Sequence, residues 1–308
     1  MNHNPDTDSI FTRGSLIVLG TVNRDHVVFV DLHPLPGETI LGHSYETGTG
    51  GKGSNQAVAA ARAGAAVTFV SAVGDDSAGT ELLADLVAKG VNVSHVTRVD
   101  GQPSGVALIT VSADGENSII VAPGASASLD PALVSDTIAD LVEPGSVLLT
   151  QLELPLPVVE KACLVAHARG ARVVMNLSPM QPIAESLLAV CNPLIVNAGE
   201  AAALARSKCE SVHDARSVAE VIAPRCGSVV VTLGADGAVV ADDARARHFP
   251  AQAVHVVDTT GAGDSFAGAL AAALVAGAGL DEAVRSGIQA SALTVQHVGA
   301  QPPRDRRP

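Results

Sequence analysis

The sequence contains no tryptophan, one tyrosine and five phenylalanines in 308 residues. Aromatic residues make up 2% of it. That excludes a row of rings on which nucleic-acid bases could stack, and it leaves Val, Leu, Ile and Ala to fill the core. Basic residues are scarce, with 19 Lys and Arg against 32 Asp and Glu and a formal net charge of −13. A protein that coats a polyanion needs a basic stripe, so no nucleic-acid partner is expected. A small phosphate held by a few backbone N–H groups stays open. The four cysteines, Cys163, Cys191, Cys209 and Cys226, form no C-x-x-C pair and fit no zinc framework. They are expected to be free thiols in a reducing cytoplasm. Residues 1–14 are polar with no apolar stretch, so they read as a flexible leader rather than a signal peptide. The longest soft run, 268–280, is broken by glycine and falls short of the ~20 residues that cross a bilayer; no membrane association is expected. No H-E-x-x-H and no G-x-S-x-G occurs, which leaves a metallohydrolase or a serine hydrolase without support.

Hydrophobic residues reach 47% and charged residues only 17%, against about 25% charged in typical chains. Such a chain folds, and its length suits one large domain or a domain with a small attachment. Short apolar runs at 15–20, 67–73, 146–150, 172–176, 194–197 and 228–233 alternate with helical stretches at 52–64, 78–90, 131–142, 157–169, 183–190, 200–205 and 215–223. In the second helix, Leu82, Leu83, Leu86 and Val87 are expected to face inward. A hairpin at 237–241 and 245–249 and helices at 263–276 and 281–296 close the pattern. This rhythm predicts βαβ units, an α/β fold with a mainly parallel sheet sandwiched by helices over 15–308. Segments at about 25–48 and 102–122 interrupt it. The second carries Ala113-Asp-Gly-Glu116, a hairpin signal. Together they predict a small β-sheet lid over the carboxyl ends of the strands, where open α/β sheets bind ligands and where a cover excludes water.

Five constellations carry chemistry. Gly48-Thr-Gly-Gly-Lys-Gly-Ser-Asn-Gln-Ala57 opens a helix, and its glycines allow positive φ and a close approach of backbone to a ligand. It is no Walker A loop, because Gly53 follows Lys52. Asp258-Thr-Thr-Gly-Ala-Gly-Asp264 runs into another helix. Free N–H groups of that first turn could cradle an anion, aided by the helix dipole. A carboxylate at Asp264 beside an anion makes sense if it takes a proton or binds a metal, which points to a general base beside a transferring phosphate; as a bland first-turn residue it would merely favour the dipole. Val231-Thr-Leu-Gly-Ala-Asp-Gly237 is a weak turn signal at a strand end. Asn197-Ala-Gly-Glu200 could orient Mg²⁺ and its waters, or could equally be a helix cap. Asn23 and Asp25 follow the first strand and point the same way in an extended chain, as a pair for vicinal sugar hydroxyls would.

These motifs together resemble the ribokinase family of PfkB-type carbohydrate kinases, over about 15–301. The most specific matches are Gly-Gly-Lys-Gly-Ser-Asn-Gln-Ala ending at Ala57 and Asp-Thr-Thr-Gly-Ala-Gly-Asp ending at Asp264. The resemblance implies ATP-dependent phosphorylation of the 5-hydroxyl of D-ribose, with Mg²⁺ and activating K⁺. It implies sugar contacts from Asn23, Asp25, Gly51, Lys52, Asn55 and Glu153. It implies nucleotide and Mg²⁺ contacts from Asn197, Glu200, Thr232, Gly234 and Gly237. Gly261, Ala262 and Gly263 would form an anion hole beside Asp264 as catalytic base. K⁺ would be held, mainly by backbone carbonyls, at Asp258, Thr260, Thr294, His297 and Gly299. Another pentose, a hexose or a nucleoside as substrate, and a non-catalytic sugar-binding regulator, are the alternatives. Open lid edges imply a homodimer through the lid.

Overall fold

The computed structural model describes residues 14–242 and 245–301; all but the last residue of the expected leader, and the residues after 301, lie outside the described residues. The strands are β1 (Leu16–Leu19), β2 (Asn23–Phe29), β3 (Ser44–Gly50), β4 (Val67–Gly74), β5 (Val91–Val99), β6 (Gly105–Val111), β7 (Asn117–Ala122), β8 (Val147–Thr150), β9 (Arg172–Asn176), β10 (Cys191–Asn197), β11 (Val229–Thr232), β12 (Ala238–Ala241) and β13 (Arg247–Phe249). The helices are α1 (Lys52–Arg62), α2 (Ser77–Ala88), α3 (Pro131–Leu141), α4 (Leu156–Ala168), α5 (Glu185–Leu188), α6 (Ala198–Ala205), α7 (Val212–Ile222), α8 (Ala262–Val275) and α9 (Leu280–Thr294).

Nine strands form one sheet in the order β13-β12-β11-β10-β9-β8-β1-β4-β5. All neighbours are parallel except β11–β12 and β12–β13. Continuous apolar runs are what strands buried on both faces require. In β1, Ile17 and Leu19 enter one core with α4 and α7, while Leu16 and Val18 enter the other with α1, α8 and α9. Phe69, Phe249 and Phe266 share the second core, whose remainder is aliphatic. The strand order reverses between β1 and β8, and the carboxyl ends beside such a reversal form a crevice.

The other sheet has four strands in the order β3-β2-β6-β7. The two insertions join through parallel pairing of β2 with β6. Asn23 and Asp25 therefore stand within this small sheet rather than merely after β1.

Two expectations need correction. The pattern misses β5, because Asn92, Ser94, His95, Thr97 and Arg98 interrupt its apolar residues on an edge of the sheet. Val87 is 57% exposed, not inward: α2 buries the stripe of Leu82 and Leu86, and among the described residues no strand beyond β5 covers its flank. Among the described residues, no helix is long and apolar enough to cross a membrane. Cys163, Cys191 and Cys209 are buried free thiols, and Cys226 is half-buried and free.

Candidate active site

The glycine-rich entry to α1 is shaped by the chain itself. Gly51 caps α1 at φ 91°, and a Cβ there would lie 2.8 Å from the Thr21 carbonyl oxygen. A Cβ on Gly53 would lie 2.6 Å from Gly20 Cα. The close approach expected toward a ligand is thus an approach of α1 to residues 20–22. It brings Lys52, Asn55 and Gln56 to the carboxyl ends of β1 and β8. Helix α8 then lies on α1, where a Cβ on Gly268 would sit 2.4 Å from the Gln56 carbonyl oxygen. This contact carries Asp264 to Asn55 and Gln56.

Asp264 is 6% exposed. Asn55 Nδ2 donates to its Oδ2 at 3.1 Å, and Gln56 Nε2 to its Oδ1 at 2.9 Å. Burial raises its pKa above the usual carboxylate value, opposed by the Lys52 ammonium and the two amides and assisted by Glu153. A carboxylate held in this state is ready to take a proton. Beside it, Gly261 adopts φ 74°, and a Cβ there would lie 2.5 Å from Ala300 Cα. The Ala262 N–H goes to the Thr259 carbonyl and the Ser265 N–H to the Gly261 carbonyl. The intervening N–H groups of Gly263 and Asp264 find no backbone acceptor among the described residues. Among the described residues, a Cβ on Gly263 would meet nothing within 4 Å, so this helix start is open there, as an anion site requires.

One side of Asp264 is rich in acceptors. Glu153 accepts from the Thr21 hydroxyl and, at 2.9 Å, from the Lys52 N–H. Burial, then the charge of Glu153, pushes Asp25 up to about 7, with Arg24 opposing. Asn23 Oδ1 and Asp25 Oδ1 are buried without a hydrogen-bond partner among the described residues. Glycine at 105 and at 50 makes room for them: a Cβ would lie 2.2 Å from Asn23 Oδ1 and 1.9 Å from Asp25 Oδ2, respectively. Buried acceptors of this kind need donors.

The other side is a cavity of about 160 Å³ lined by Lys52, Asn176, Ser178, Asn197, Glu200, Thr232, Gly261, Gly263 and Asp264. The Lys52 side chain thus borders the residues expected for the nucleotide as well as Asp264. Asn197 and Glu200 form a capping box on α6, with both bonds at 2.8 Å. The cap exists, and Glu200 still lines the cavity. Burial raises the Glu200 pKa against its bond from Asn197. An adjoining cavity of about 380 Å³ is lined by Thr232, Gly234, Asp236 and the 209–211 turn. Gly237 is buried against β13, where a Cβ would lie 2.0 Å from the Phe249 carbonyl oxygen.

Behind the start of α8, the Asp258 carboxylate accepts from Thr260 N at 2.8 Å and Gly299 N at 2.7 Å. Burial works against its ionisation, but these bonds hold its pKa below the usual value. The Thr294 hydroxyl contacts the Ser265 hydroxyl at 2.7 Å, and His297 is exposed. Loop 258–260 and segment 294–299 are therefore neighbours. Among the described residues no group of three or more His, Cys, Asp or Glu could hold a metal.

The pfkB family carbohydrate kinase model matches residues 13–307. The chain belongs to the pfkB family of carbohydrate kinases. The kinase is accordingly a phosphotransferase with an alcohol acceptor. It is 38% identical to the ribokinase of Haemophilus influenzae over 94% of both chains. It is similar to the ribokinase structure of Thermotoga maritima, with a TM-score of 0.85 and 32% identity over 95% of this chain and 97% of that one. A structure of Arabidopsis thaliana ribokinase complexed with ribose and ATP matches with a TM-score of 0.84 and 29% identity over 94% and 95% of the two chains. The expected α/β fold with its separate small sheet and the expected enzyme class both hold. Four residues around the kinase site went unnoticed in the sequence: Thr21, Gln56, Gln151 and Asn176. Gln56 lies inside a quoted motif and Gln151 two residues before Glu153, and an amide within an otherwise apolar strand end or helix face was the available signal.

Proposed function

We propose that the kinase transfers the γ-phosphoryl group of ATP to the 5-hydroxyl of D-ribose, giving ribose 5-phosphate and ADP. One observation carries this reading: the buried carboxylate of Asp264 stands between orphaned acceptors on one side and a free helix N-terminus on the other. Asn23 and Asp25 accept from sugar hydroxyls, with Glu153 and Asn55 beside them and the Gly51 turn fixing the helix that presents Asn55 and Lys52. Asp264 takes the proton of the 5-hydroxyl as that oxygen bonds to the γ-phosphorus. The bond from the γ-phosphorus to the β,γ-bridging oxygen breaks, and the electron pair leaves with ADP. Lys52 and the N–H groups of Gly263 and Asp264, which have no backbone acceptor among the described residues, receive the charge that spreads over the transferring group. Thr232, Gly234 and Gly237 belong to the nucleotide loop, Gly237 by holding its turn closed.

Mg²⁺ fits the donor set, since it is usually bound by one or two carboxylates plus substrate phosphates rather than by a protein cage. Glu200 and Asn197 would hold it, and it would supply charge neutralisation of the phosphates. K⁺ fits the joined 258–260 and 294–299 segments, where Asp258 is the only carboxylate and the remaining donors of Thr260, Thr294, His297 and Gly299 are backbone carbonyls. Its role would be to fix the Gly261–Gly263 turn.

The small sheet acts as a lid and as a dimer surface. Tyr45, Leu108, Ile119, Ile120 and Val121 are 46–67% exposed on it, which suits pairing with a second copy. Four free thiols suit a reducing cytoplasm. The test is an ADP-coupled assay against pentoses, 2-deoxyribose, hexoses and nucleosides, with the phosphorylated position assigned by ³¹P NMR. Ribose with the highest kcat/KM and phosphate on C5 supports the reading; a nucleoside or hexose preferred over ribose overturns it.

A further inference from the structure

Each oxygen of Asp264 receives an amide N–H, and each of those amides is itself held by a second glutamine. On one arm, Gln151 Nε2 donates to Gln56 Oε1 at 2.6 Å, and Gln56 Nε2 donates to Asp264 Oδ1 at 2.9 Å. On the other, Gln301 Nε2 donates to Asn55 Oδ1 at 2.8 Å, and Asn55 Nδ2 donates to Asp264 Oδ2 at 3.1 Å. Lys89 Nζ donates to Gln301 Oε1 at 2.6 Å. We infer that these two arms form amide relays that hold the carboxylate plane of Asp264, making Gln56, Gln151 and Gln301 positioning residues for phosphoryl transfer. The inference rests on the reading of Asp264 as the base.

The direction of each arm is forced. An ionised carboxylate only accepts, so Gln56 must turn its NH₂ to Asp264 and its oxygen to Gln151. Gln151 must in turn present its NH₂. The same order runs from Asp264 through Asn55 to Gln301, where the Lys89 ammonium, which only donates, fixes the last oxygen. No amide in either chain can flip without setting two acceptors or two donors face to face.

Packing fixes the arms as well. Gln56 is 0% and Gln151 1% exposed. A Cβ on Gly20 would lie 2.2 Å from Gln151 Oε1, so glycine after β1 is what admits this amide beneath the site. That oxygen has no hydrogen-bond partner among the described residues. Two glutamines buried this deeply cost more than a methionine pair of similar volume unless their bonds serve a purpose. The purpose available here is geometric. With one lone pair on each oxygen engaged by an amide, the others are left for the sugar hydroxyl. Lys52 and Glu153, the charged groups that act on Asp264, would pull and push a loose carboxylate in different directions. The second arm has a further consequence: Gln301 lies two residues after the 294–299 segment, so the order of that segment reaches the base through Asn55.

The test uses Gln151→Met and Gln301→Met, neither of which touches Asp264. Misplacement of a catalytic group costs on the order of 10²-fold, so each variant should lose roughly ten- to a hundredfold in kcat, with KM for ribose and ATP within about threefold of the parent. Gln56→Met should lose at least as much, and Gln56→Met with Gln151→Met should lose no more than Gln56→Met alone. A merely structural role lowers the melting temperature and leaves kcat intact. Gln301 is half-buried, so its variant keeps the question answerable if Gln151→Met does not fold. Folded variants with kcat within about twofold of the parent, or losses that multiply in the double variant, overturn the relay. Asp264→Asn measured alongside separates the two claims. If it loses more than about a hundredfold while the glutamine variants lose nothing, the relay alone falls. If it keeps kcat within about tenfold, the base reading falls, and the relay with it.

Discussion

Asp25→Asn should make the free protein more stable and a poorer sugar binder, and the stability gain should depend on pH. Burial and the neighbouring charge of Glu153 raise the Asp25 carboxyl from 3.8 to about 7. A folded pKa above the unfolded one means the folded protein holds a proton that the unfolded chain releases. Stability is therefore lost as pH rises from the unfolded value through about 7, and it levels off above that. At about 1.4 kcal/mol per unit, ionising Asp25 in the fold costs about 4 kcal/mol before screening. Solvent reaches part of this side chain, which reduces the figure to ~1–2 kcal/mol. Asn has nothing to ionise, so the melting temperature of Asp25→Asn should exceed that of the parent by roughly 2–8 °C at pH 8 and by clearly less at pH 5. The same change removes a charged acceptor for a sugar hydroxyl, worth about 1.5–3 kcal/mol, so KM for ribose should rise at least about tenfold while KM for ATP stays near the parent value. Scanning calorimetry at the two pH values, without sugar, and steady-state kinetics measure both effects. A variant less stable than the parent at pH 8, or equally stabilised at both pH values, refutes the electrostatic reasoning; an unmoved sugar KM removes Asp25 from the site.

Three further outcomes are expected. Activity in Na⁺ or Tris alone should fall below that in K⁺, because the cation would brace the loop that Asp258 ties to Gly299; equal rates contradict this. Gly105→Ala should raise the sugar KM with little change in kcat, since its Cβ would press to 2.2 Å on Asn23 Oδ1; an unchanged sugar KM means that Asn23 does not touch the sugar. Ile120→Asp, at a residue 67% exposed on the small sheet, should turn a dimer into a monomer in light scattering, and a parent already monomeric contradicts the dimer.

The large sheet is legible in the sequence because its inner strands, such as Leu16–Leu19 and Val147–Thr150, are apolar on both faces. The edge strand Val91–Val99 is not, because water on one side lets polar residues break the pattern. The glycine motifs stand out in the sequence, yet the reason for Gly51 and Gly53 is close packing on residues 20–22, which no local pattern encodes. Asp264 stands out because its motif is local. The glutamines around it do not, because Gln56 and Asp264 are 208 residues apart in the chain and Gln151 is 95 from Gln56. Only the packing of α8 on α1 at the sheet's reversal point unites them.

The central claim is that Asp264 takes the proton from the sugar hydroxyl. Asn is nearly isosteric with Asp, though its NH₂ faces one of the amide donors Asn55 and Gln56, and it cannot accept that proton. The decisive measurement is kcat of Asp264→Asn with ribose and ATP, alongside its melting temperature and its affinity for ATP. General-base catalysis is worth about 10²–10⁴-fold, so kcat should fall by at least a hundredfold while the protein stays folded and binds nucleotide. If Asp264 merely favours the dipole of α8, the variant loses about 0.3–1 kcal/mol of stability and turns over nearly normally; kcat within about tenfold of the parent would contradict the account.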